Sequence, residues 1–246
     1  MSKLKIISWN VNGIRTRIKN KETNPVFEKD ADIILFQETK AQYEQMDKKF
    51  LIDSSYNYYF LKGESARSGG LATFTKDMPK VVKRFFNKSN DAFHRASVLE
   101  YDDFILIHLY APAGSGKKDN FNQKLEYFNS LLTYAEKNMN ENLIIAGDFN
   151  IAHNEIDIAD KDTKVTFTEE ERSFLDKLES LGFSDALRLF NSGESFTYWK
   201  KGDENEGARL DYFFVSKPLK DSVKSYNVLD DVKGSKHIPI ELDLEF

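Results

Sequence analysis

Two carboxylates in the sequence stand just beyond short apolar runs, at points where buried strands are expected to end. Glu38 lies two residues after the run that ends at Phe36, and Asp148 lies two residues after the run that ends at Ala146. A carboxylate at the end of a buried strand is unfavourable unless it is paired, hydrated or bound to a metal ion. A single acid of this kind is explained equally well as the cap of a turn.

Three asparagines in similar positions shift the interpretation towards a metal site. Asn10 and Asn12 follow the first apolar run of the chain, and Asn150 follows Asp148. Mg²⁺ usually takes one or two carboxylates in a protein and keeps water molecules for the phosphate group of a substrate. Together with Glu38, these residues predict a Mg²⁺ site that meets a phosphate group.

A histidine near the end of the chain is a further candidate. His237 precedes a final apolar run that is expected to form a strand. A lone histidine is more often structural than catalytic, and its spacing alone does not decide between the two roles. Beside a cluster of carboxylates and amides, an imidazole can stabilise a phosphoryl oxygen or transfer a proton.

The composition restricts the classes of chemistry. The 246 residues include no cysteine and only 4 histidines, which excludes disulfides, thiolate metal sites and a cysteine nucleophile. The formal net charge of −5 excludes a protein that coats DNA through bulk positive charge, although a local basic rim could still meet phosphate. No apolar run approaches the roughly 18 residues that a membrane span needs, and the N-terminus does not resemble a signal peptide. We therefore expect a soluble cytoplasmic protein without a membrane segment.

The elements that must position these groups are short strands alternating with helices. Apolar runs predict strands at residues 4–9, 32–36, 70–75, 104–110, 143–146 and 210–215. Helical spacing predicts helices at 123–138 and 168–181, the second with a capping box of Thr168 and Glu171. Polar stretches at 113–120 and 200–207 predict loops. This mixture predicts an α/β or α+β sandwich in one domain, residues 1–246.

An ordered set of motifs along nearly the whole chain resembles the exonuclease III family of apurinic/apyrimidinic (AP) endonucleases. The first motifs are KIISWNVNGIR at residues 5–15 and QETK at 37–40. They are followed by SG at 68–69, YAP at 110–112, GDFNIAH at 147–153, RLDYF at 209–213 and GS.H.PI at 234–240. One motif would be weak evidence, whereas the ordered set makes the resemblance specific.

The resemblance implies a fold, an activity and a partner. The implied fold is a four-layer αββα sandwich with two packed mixed sheets and the site at one end. The implied activity is Mg²⁺-dependent cleavage of the DNA backbone 5′ to an abasic site, with 3′→5′ exonuclease or 3′-phosphodiesterase activity beside it. Mn²⁺ is expected to substitute for Mg²⁺. The expected partner is double-stranded DNA with abasic sites or 3′ blocks, and the expected form is a monomer, at the nucleoid if the source is bacterial or archaeal.

The resemblance also implies roles for the residues of the metal site. Glu38 would be the principal Mg²⁺ ligand, and Asn10 and Asn12 would orient it or its bound water. Asp148 would activate the attacking water or protonate the leaving oxygen. Asn150 would hydrogen-bond Asp148 and the phosphate.

Further roles concern the substrate. Tyr110 would contact the scissile phosphate, and Asp211 would support the loop that carries His237. The expected DNA contacts comprise three arginines and an apolar wall for the abasic sugar: Arg15, Arg67, Arg95, Tyr198, Trp199 and Leu210. A simpler alternative is that the aromatic residues of this wall pack into the core.

Three positions depart from the family pattern. Lys236 replaces the aspartate that usually precedes the histidine and that we expect to bind its ring, and Ala113 replaces an amide that touches phosphate. Ala208 replaces a tryptophan, which predicts a wider sugar pocket. Lys236 and Ala113 leave open a degenerate paralogue that binds damaged DNA with weak or no cleavage. Distant relatives of the implied fold leave open a second alternative, a phosphodiesterase for RNA, a phosphoinositide or another phosphodiester.

Overall fold

The apolar runs form strands and the amphipathic stretches form helices in the computed structural model, which describes residues 2–63, 65, 68–84, 95–114, 118–159, 167–200 and 206–246. The first half of the chain contains β1 (Lys3–Asn10), α1 (Ile14–Lys19), α2 (Asn24–Glu28), β2 (Ile33–Gln37), α3 (Lys48–Asp53), β3 (Asn57–Leu61), β4 (Leu71–Thr75), β5 (Val81–Arg84), β6 (Ala96–Glu100) and β7 (Ile105–Tyr110). The second half contains α4 (Lys118–Asn138), β8 (Leu143–Asp148), α5 (Glu169–Ser180), β9 (Ser184–Asp185), β10 (Tyr198–Trp199), β11 (Gly207–Ala208), β12 (Asp211–Val215), β13 (Val223–Val228) and β14 (Ile240–Glu245).

Two mixed six-stranded sheets form the centre of the molecule. The first has the strand order β13-β14-β1-β2-β4-β3, and the second has the order β5-β6-β7-β8-β12-β9. Each contains one parallel pair, β1 with β2 and β7 with β8, flanked by antiparallel neighbours. The expected pair of mixed sheets is confirmed.

Three apolar layers explain why the central strands read as continuous apolar runs. Alternate side chains of β1 face different layers: Ile6 packs between the two sheets, and Ile7 packs beneath the helices that carry Ile14 and Val26. On the outer side of the second sheet, α4 and α5 contribute residues such as Phe128 to a third layer. Strands covered on both faces are apolar throughout. The order of layers is therefore helix, sheet, sheet, helix.

A buried hydrogen-bonded group crosses the interface between the sheets. The Nδ1 atom of His108 on β7 lies 2.9 Å from Thr73 Oγ1 on β4, and its Nε2 lies 2.9 Å from Gln37 Nε2 on β2. Because the Gln37 amide is the donor, which it also is to Ser8 Oγ at 3.0 Å, His108 accepts at Nε2 and carries its proton on Nδ1. Burial lowers the pKa of His108 to about 3, so the imidazole is neutral.

The predicted strands and helices are present in the structure, but some of them begin or end at other residues than predicted. The capping box is present, since Thr168 Oγ1 accepts from the backbone of Glu171 and the Glu171 carboxylate accepts from that of Thr168. The predicted loop at 113–120 is too long because α4 already begins at Lys118. Gly207 was expected in a loop but pairs with Trp199 in a two-stranded ribbon. Residues 201–205 of that loop lie outside the described residues.

The sequence pattern did not identify the outer strands β3, β5, β6 and β13. They lie at or next to the edges of the sheets, and β13 exposes part of one face, so its residues VKSYNV mix polar and apolar types. In the described ranges, no helix has the length and the apolar character needed to cross a bilayer.

Candidate active site

The carboxyl ends of the two parallel strand pairs meet at one end of the interface between the sheets. Asn10 ends β1 in the first sheet, and Asp148 ends β8 in the second. The Asn10 amide Nδ2 donates to Asp148 Oδ2 at 2.8 Å, and Tyr110 OH donates to Glu38 Oε1 at 3.4 Å. The structure therefore brings together residues that are more than 70 positions apart in the chain.

Left-handed backbone conformations shape the loops that leave these strands. Asn12, Glu38, Lys40 and Asn150 have positive φ angles of 45°, 53°, 48° and 51°. For residues other than glycine, this conformation is unfavourable by about 1–2 kcal/mol each. Backbone hydrogen bonds compensate, as where the Glu38 carbonyl accepts from Gly13 N at 2.9 Å. Four of the seven non-glycine residues with positive φ in the described chain therefore lie in the loops that leave these strands.

A close packing contact requires glycine beside Asp148. Gly147 has a φ of 140°, and a Cβ atom there would lie 1.9 Å from the carbonyl oxygen of Leu109 on β7. Only glycine allows β8 to lie this close to β7 at the residue directly before Asp148. This contact explains the glycine of the GDFN motif.

Glu38, Asn12 and Lys40 form the part of the site that suits a cation. Lys40 Nζ donates to Asn12 Oδ1 at 2.6 Å and lies 3.4 Å from Glu38 Oε1. Two side-chain oxygens thus converge around one positive charge. Asn10 Oδ1 accepts from the backbone of Asn12 at 3.1 Å, which orients the loop. Apart from Lys40, the groups named here offer side-chain oxygens. Oxygen ligands fit a hard divalent cation such as Mg²⁺ or Mn²⁺.

The second part of the site is a histidine between two aspartates. Asp148 on β8 lies opposite Asp211 on β12 in the antiparallel register. His237 Nδ1 lies 2.8 Å from Asp211 Oδ2, and its Nε2 lies 3.8 Å from Asp148 Oδ2. The three side chains are buried, with exposures of 1% for Asp211, 0% for Asp148 and 7% for His237.

Thr197 holds Asp211 in place. Its hydroxyl donates to Asp211 Oδ2 at 2.6 Å and accepts from the backbone N–H groups of Leu210 and Asp211 at 3.0 and 3.1 Å. The other oxygen of Asp211, Oδ1, is buried without a hydrogen-bond partner among the described residues. The carboxylate is therefore fixed through Oδ2, the oxygen that meets the imidazole.

The pKa values of Asp148 and His237 are both raised, for different reasons. Burial raises the pKa of Asp148 to about 7, against the opposing effect of the positive charge on His237. Burial alone would lower the pKa of His237, but Asp211 and Asp148 together raise it to about 9. At neutral pH the imidazole is protonated, and Asp148 can accept or release a proton.

The expectation that Lys236 deprives His237 of its orienting carboxylate is wrong. Asp211 supplies that carboxylate from β12, while the Lys236 side chain is exposed and its carbonyl accepts from Trp199 N at 2.9 Å. The Lys236 side chain lies in solvent whereas the His237 ring is buried, so the residue before His237 does not orient the ring. The argument for a degenerate paralogue loses its main support.

Arg95, one of the expected DNA contacts, packs against Tyr110. Its guanidinium carbon lies 4.9 Å from the centroid of the Tyr110 ring, and its carbonyl accepts from Tyr110 N at 2.7 Å. Burial, together with Glu38 and Asp148, raises the pKa of the Tyr110 hydroxyl well above its ordinary value. Tyr110 therefore keeps its proton and acts as a hydrogen-bond donor in the site.

Asn150 bonds to Asp148, as expected, and does so through its backbone. Its N–H donates to Asp148 Oδ1 at 2.8 Å, while its side-chain Nδ2 donates to the carbonyl of Ala111 at 2.9 Å. Asp148 thus accepts one hydrogen bond on each oxygen, from Asn150 and from Asn10. Both bonds favour its ionised form.

The two aromatic side chains of the expected sugar wall, Tyr198 and Trp199, face in different directions. Tyr198 is half-buried, and its ring centroid lies 5.0 Å from that of His237. Leu210 is buried in a small apolar cluster with Ala208. The Trp199 ring instead packs on Phe196 and over Gly207, where a Cβ atom would lie 2.6 Å from it. Tyr198 is therefore the aromatic residue that faces the site, and neither aromatic ring is fully buried in the core.

Of the two remaining arginines expected to contact DNA, the structure describes Arg15 but not Arg67. Arg15 is exposed on α1, three residues after Asn12 and next to the loop that carries it. Arg67 lies outside the described residues. Thr197 and the hydroxyl of Ser235, which donates to the carbonyl of Asn10 at 2.7 Å, are site residues to which sequence reasoning gave no role.

Comparisons with known proteins cover the same length of chain as the motifs. The model of the Endonuclease/Exonuclease/phosphatase family matches residues 7–231. The chain is 32% identical over 253 residues to an exodeoxyribonuclease of Bacillus subtilis (strain 168), covering 97% of the chain and 98% of the relative. It is 33% identical over 253 residues to a DNA-(apurinic or apyrimidinic site) endonuclease of Dictyostelium discoideum, covering 97% of the chain and 70% of the relative. A solved AP endonuclease from Archaeoglobus fulgidus has the same fold, with a TM-score of 0.88 at 23% identity over 99% of this chain and 100% of that one.

Proposed function

Because the chain belongs to the Endonuclease/Exonuclease/phosphatase family, we propose that it is a DNA-repair phosphodiesterase that cuts the backbone on the 5′ side of abasic sites. Cleavage of 3′ blocks or 3′→5′ removal of nucleotides uses the same chemistry and accompanies it. One observation carries this proposal. The bond from Asn10 Nδ2 to Asp148 Oδ2 joins the part of the site that suits a cation to the part that moves protons.

His237 and Tyr110 stabilise the phosphate during the reaction. In-line attack on a phosphodiester places extra negative charge on the phosphoryl oxygens, and fixed donors lower the energy of that state. His237 is protonated at neutral pH, bonds to Asp211 through Nδ1 and presents its Nε2–H towards the substrate side. Tyr110 adds a hydroxyl donor beside Glu38.

Asp148 activates the attacking water. Its two oxygens each accept a hydrogen bond, which orients the carboxylate and favours its charged form. A pKa of about 7 is close to the operating pH, which suits a general base. Asp148 therefore accepts the proton of the water at the moment of attack.

Glu38 is the principal ligand of the divalent cation, with Asn10 and Asn12 orienting it and its bound water. Mg²⁺ is the proposed ion, and Mn²⁺ substitutes for it because both prefer oxygen ligands. When bound, the cation supplies positive charge at the phosphoryl oxygens and lowers the barrier to attack. Lys40 Nζ lies between the Glu38 and Asn12 oxygens that would hold the cation.

The substrate is double-stranded DNA that carries an abasic site or a 3′ block. Tyr198 and Leu210 form the wall that receives the abasic sugar, and Arg15 contacts a backbone phosphate beside it. The small side chain of Ala208 leaves this wall wider than a large aromatic residue would. The protein works as a monomer of one domain on chromosomal DNA in the cytoplasm, at the nucleoid in a bacterium or archaeon.

The test is cleavage of a duplex that carries one abasic analogue, assayed with Mg²⁺ and then with EDTA. Wild type is expected to nick this duplex on the 5′ side with Mg²⁺ and to leave an intact duplex uncut. Glu38→Ala should lose the activity, whereas Glu126→Ala, which removes an exposed carboxylate from α4, should keep it. Tight binding of the abasic duplex without nicking would instead support the degenerate paralogue. If the protein neither binds nor nicks the abasic duplex, the search would turn to other phosphodiesters.

A further inference from the structure

A lysine with no exposure to solvent lies directly behind the active site. Lys124 is on α4, and its side chain is 0% exposed. A buried ammonium is unfavourable unless other groups replace the water that it loses. Burial lowers the pKa of Lys124, and the carboxylate of Glu171 opposes that shift. The position therefore needs an explanation beyond the packing of a helix.

Every hydrogen-bond donor of this ammonium is engaged within the protein. Lys124 Nζ donates to Glu171 Oε1 at 2.6 Å, to the carbonyl of Asn150 at 2.8 Å and to the carbonyl of Ala113 at 3.3 Å. An ammonium has three N–H groups, so these acceptors use all of them. Lys124 has no donor left for a substrate phosphate, which excludes a direct contact with DNA.

The carboxylate that pairs with Lys124 is itself held in place. Glu171 is 6% exposed, and its other oxygen, Oε2, accepts from Thr168 N at 2.8 Å and from Thr168 Oγ1 at 3.0 Å. This is the capping box at the first turn of α5. The ammonium is therefore anchored to a rigid helix end on the side away from the site.

The other two acceptors belong to the loops that carry catalytic groups. Asn150 has a left-handed backbone, and its N–H donates to Asp148. Ala113 ends the segment that leaves Tyr110, and the Asn150 side chain bonds to Ala111 in the same segment. A Cβ atom on the next residue, Gly114, would lie 2.7 Å from Cδ of Lys124, so the lysine stem packs directly against this loop.

We propose, on the basis of the function above, that Lys124 is a positioning residue for cleavage. It holds the backbone of Asn150 and the loop after Tyr110 in the arrangement that orients Asp148. Its effect reaches the substrate only through those residues. Loss of Lys124 should therefore slow the chemical step more than it weakens DNA binding.

The experiment separates positioning from the neutralisation of Glu171. Lys124→Met leaves a buried carboxylate unpaired and is expected to lower Tm. The double variant Lys124→Met/Glu171→Gln removes both charges and keeps an acceptor for the capping box, so Tm should recover. If Lys124 positions the loops, kcat on the abasic duplex stays about 10²-fold below wild type in the double variant, with KM changed less than about threefold. Recovery of wild-type kcat in the double variant would overturn the proposal.

A readout without catalysis keeps this inference separate from the proposed function. The side-chain amide signals of Asn150 in a ¹⁵N–¹H spectrum can be assigned from their absence in Asn150→Asp. They should shift or broaden in the double variant and stay unchanged in Lys137→Met, which alters an exposed lysine of the same helix. Unchanged Asn150 signals in the double variant would refute positioning. Failure of wild type to nick the duplex would count against the proposed function, and the amide signals would still decide the role of Lys124.

Discussion

The carboxylates of Asp148 and Asp211 lie opposite each other on neighbouring antiparallel strands, and the imidazole of His237 bonds to one of them and faces the other. The two acids have different surroundings. Asp148 accepts from Asn10 and Asn150 at the open end of the sheets, whereas Asp211 is held by Thr197 behind the ring. This difference supports the proposed division of roles, in which Asp148 meets the substrate and Asp211 orients the histidine.

Asp211→Asn should lower kcat on the abasic duplex by at least about 10²-fold, the usual scale for losing a positioned proton-transfer or oxyanion-stabilising group. The amide removes the negative charge that keeps His237 protonated, so the cationic donor to the phosphoryl oxygen is lost. Steady-state kinetics with saturating DNA would measure this. An unchanged kcat would mean that the Asp211–His237 contact does not take part in cleavage.

Lys236→Asp should leave kcat near the wild-type value and weaken DNA binding. Asp211 already orients His237, and the Lys236 ammonium is exposed with no carboxylate partner in the described part of the chain. If that ammonium meets a phosphate, the slope of log affinity against log salt should fall in magnitude by about one. Fluorescence anisotropy with Ca²⁺ in place of Mg²⁺ would give the slope. A large rise in kcat would instead show that Lys236 impairs catalysis.

Tyr198→Ala should reduce kcat/KM for the abasic duplex, and Tyr198→Phe should not. The ring packs edge-on to His237 at 5.0 Å, and its hydroxyl is not needed for that contact. An aromatic contact of this kind stabilises by about 0.5–1.5 kcal/mol, which corresponds to a loss of up to roughly tenfold for alanine. Parallel assays on the abasic and intact duplexes would show whether discrimination also falls. Equal effects of the two substitutions would assign the role to the hydroxyl.

His108 should make the free energy of unfolding depend on pH below about 6.5, the ordinary pKa of histidine. Its pKa is about 3 in the folded protein, so the unfolded chain binds a proton in this range that the folded protein does not. Stability therefore falls as pH decreases from about 6.5 towards 3, by up to about 1.4 kcal/mol per pH unit from this group. Urea unfolding of wild type and His108→Gln between pH 7 and 4 should show this slope in their difference. If the free energies of unfolding of the two proteins changed with pH in parallel, His108 would not be neutral and buried in the folded protein.

Much of the fold and part of the site follow from local sequence patterns. Strands covered on both faces give continuous apolar runs, and the polar residues at their ends, such as Asn10 and Asp148, therefore mark one edge of the structure. Parallel pairing then brings those ends together. The family resemblance also implies that Asp211 supports the loop of His237, whereas in the structure its carboxylate meets the imidazole ring itself.

The remaining features depend on contacts between distant residues. Thr197 bonds to Asp211 across 14 positions, and Lys124 bonds to Asn150 across 26. Neither has a local signal, because a threonine or a helical lysine is common on any surface. Proximity in the chain was misleading at position 236, where the side chain is exposed while the neighbouring His237 ring is buried.

The junction between the two sheets has a consequence for how activity is lost. Glu38 and Asn10 come from the first sheet and Tyr110 and Asp148 from the second, so each sheet carries half of the chemistry. A fragment with only one of the sheets would therefore keep only part of these groups. Activity therefore requires that the two sheets pack against each other. In a denaturant series, activity should disappear together with the contacts between the sheets, even while the helices outside them persist.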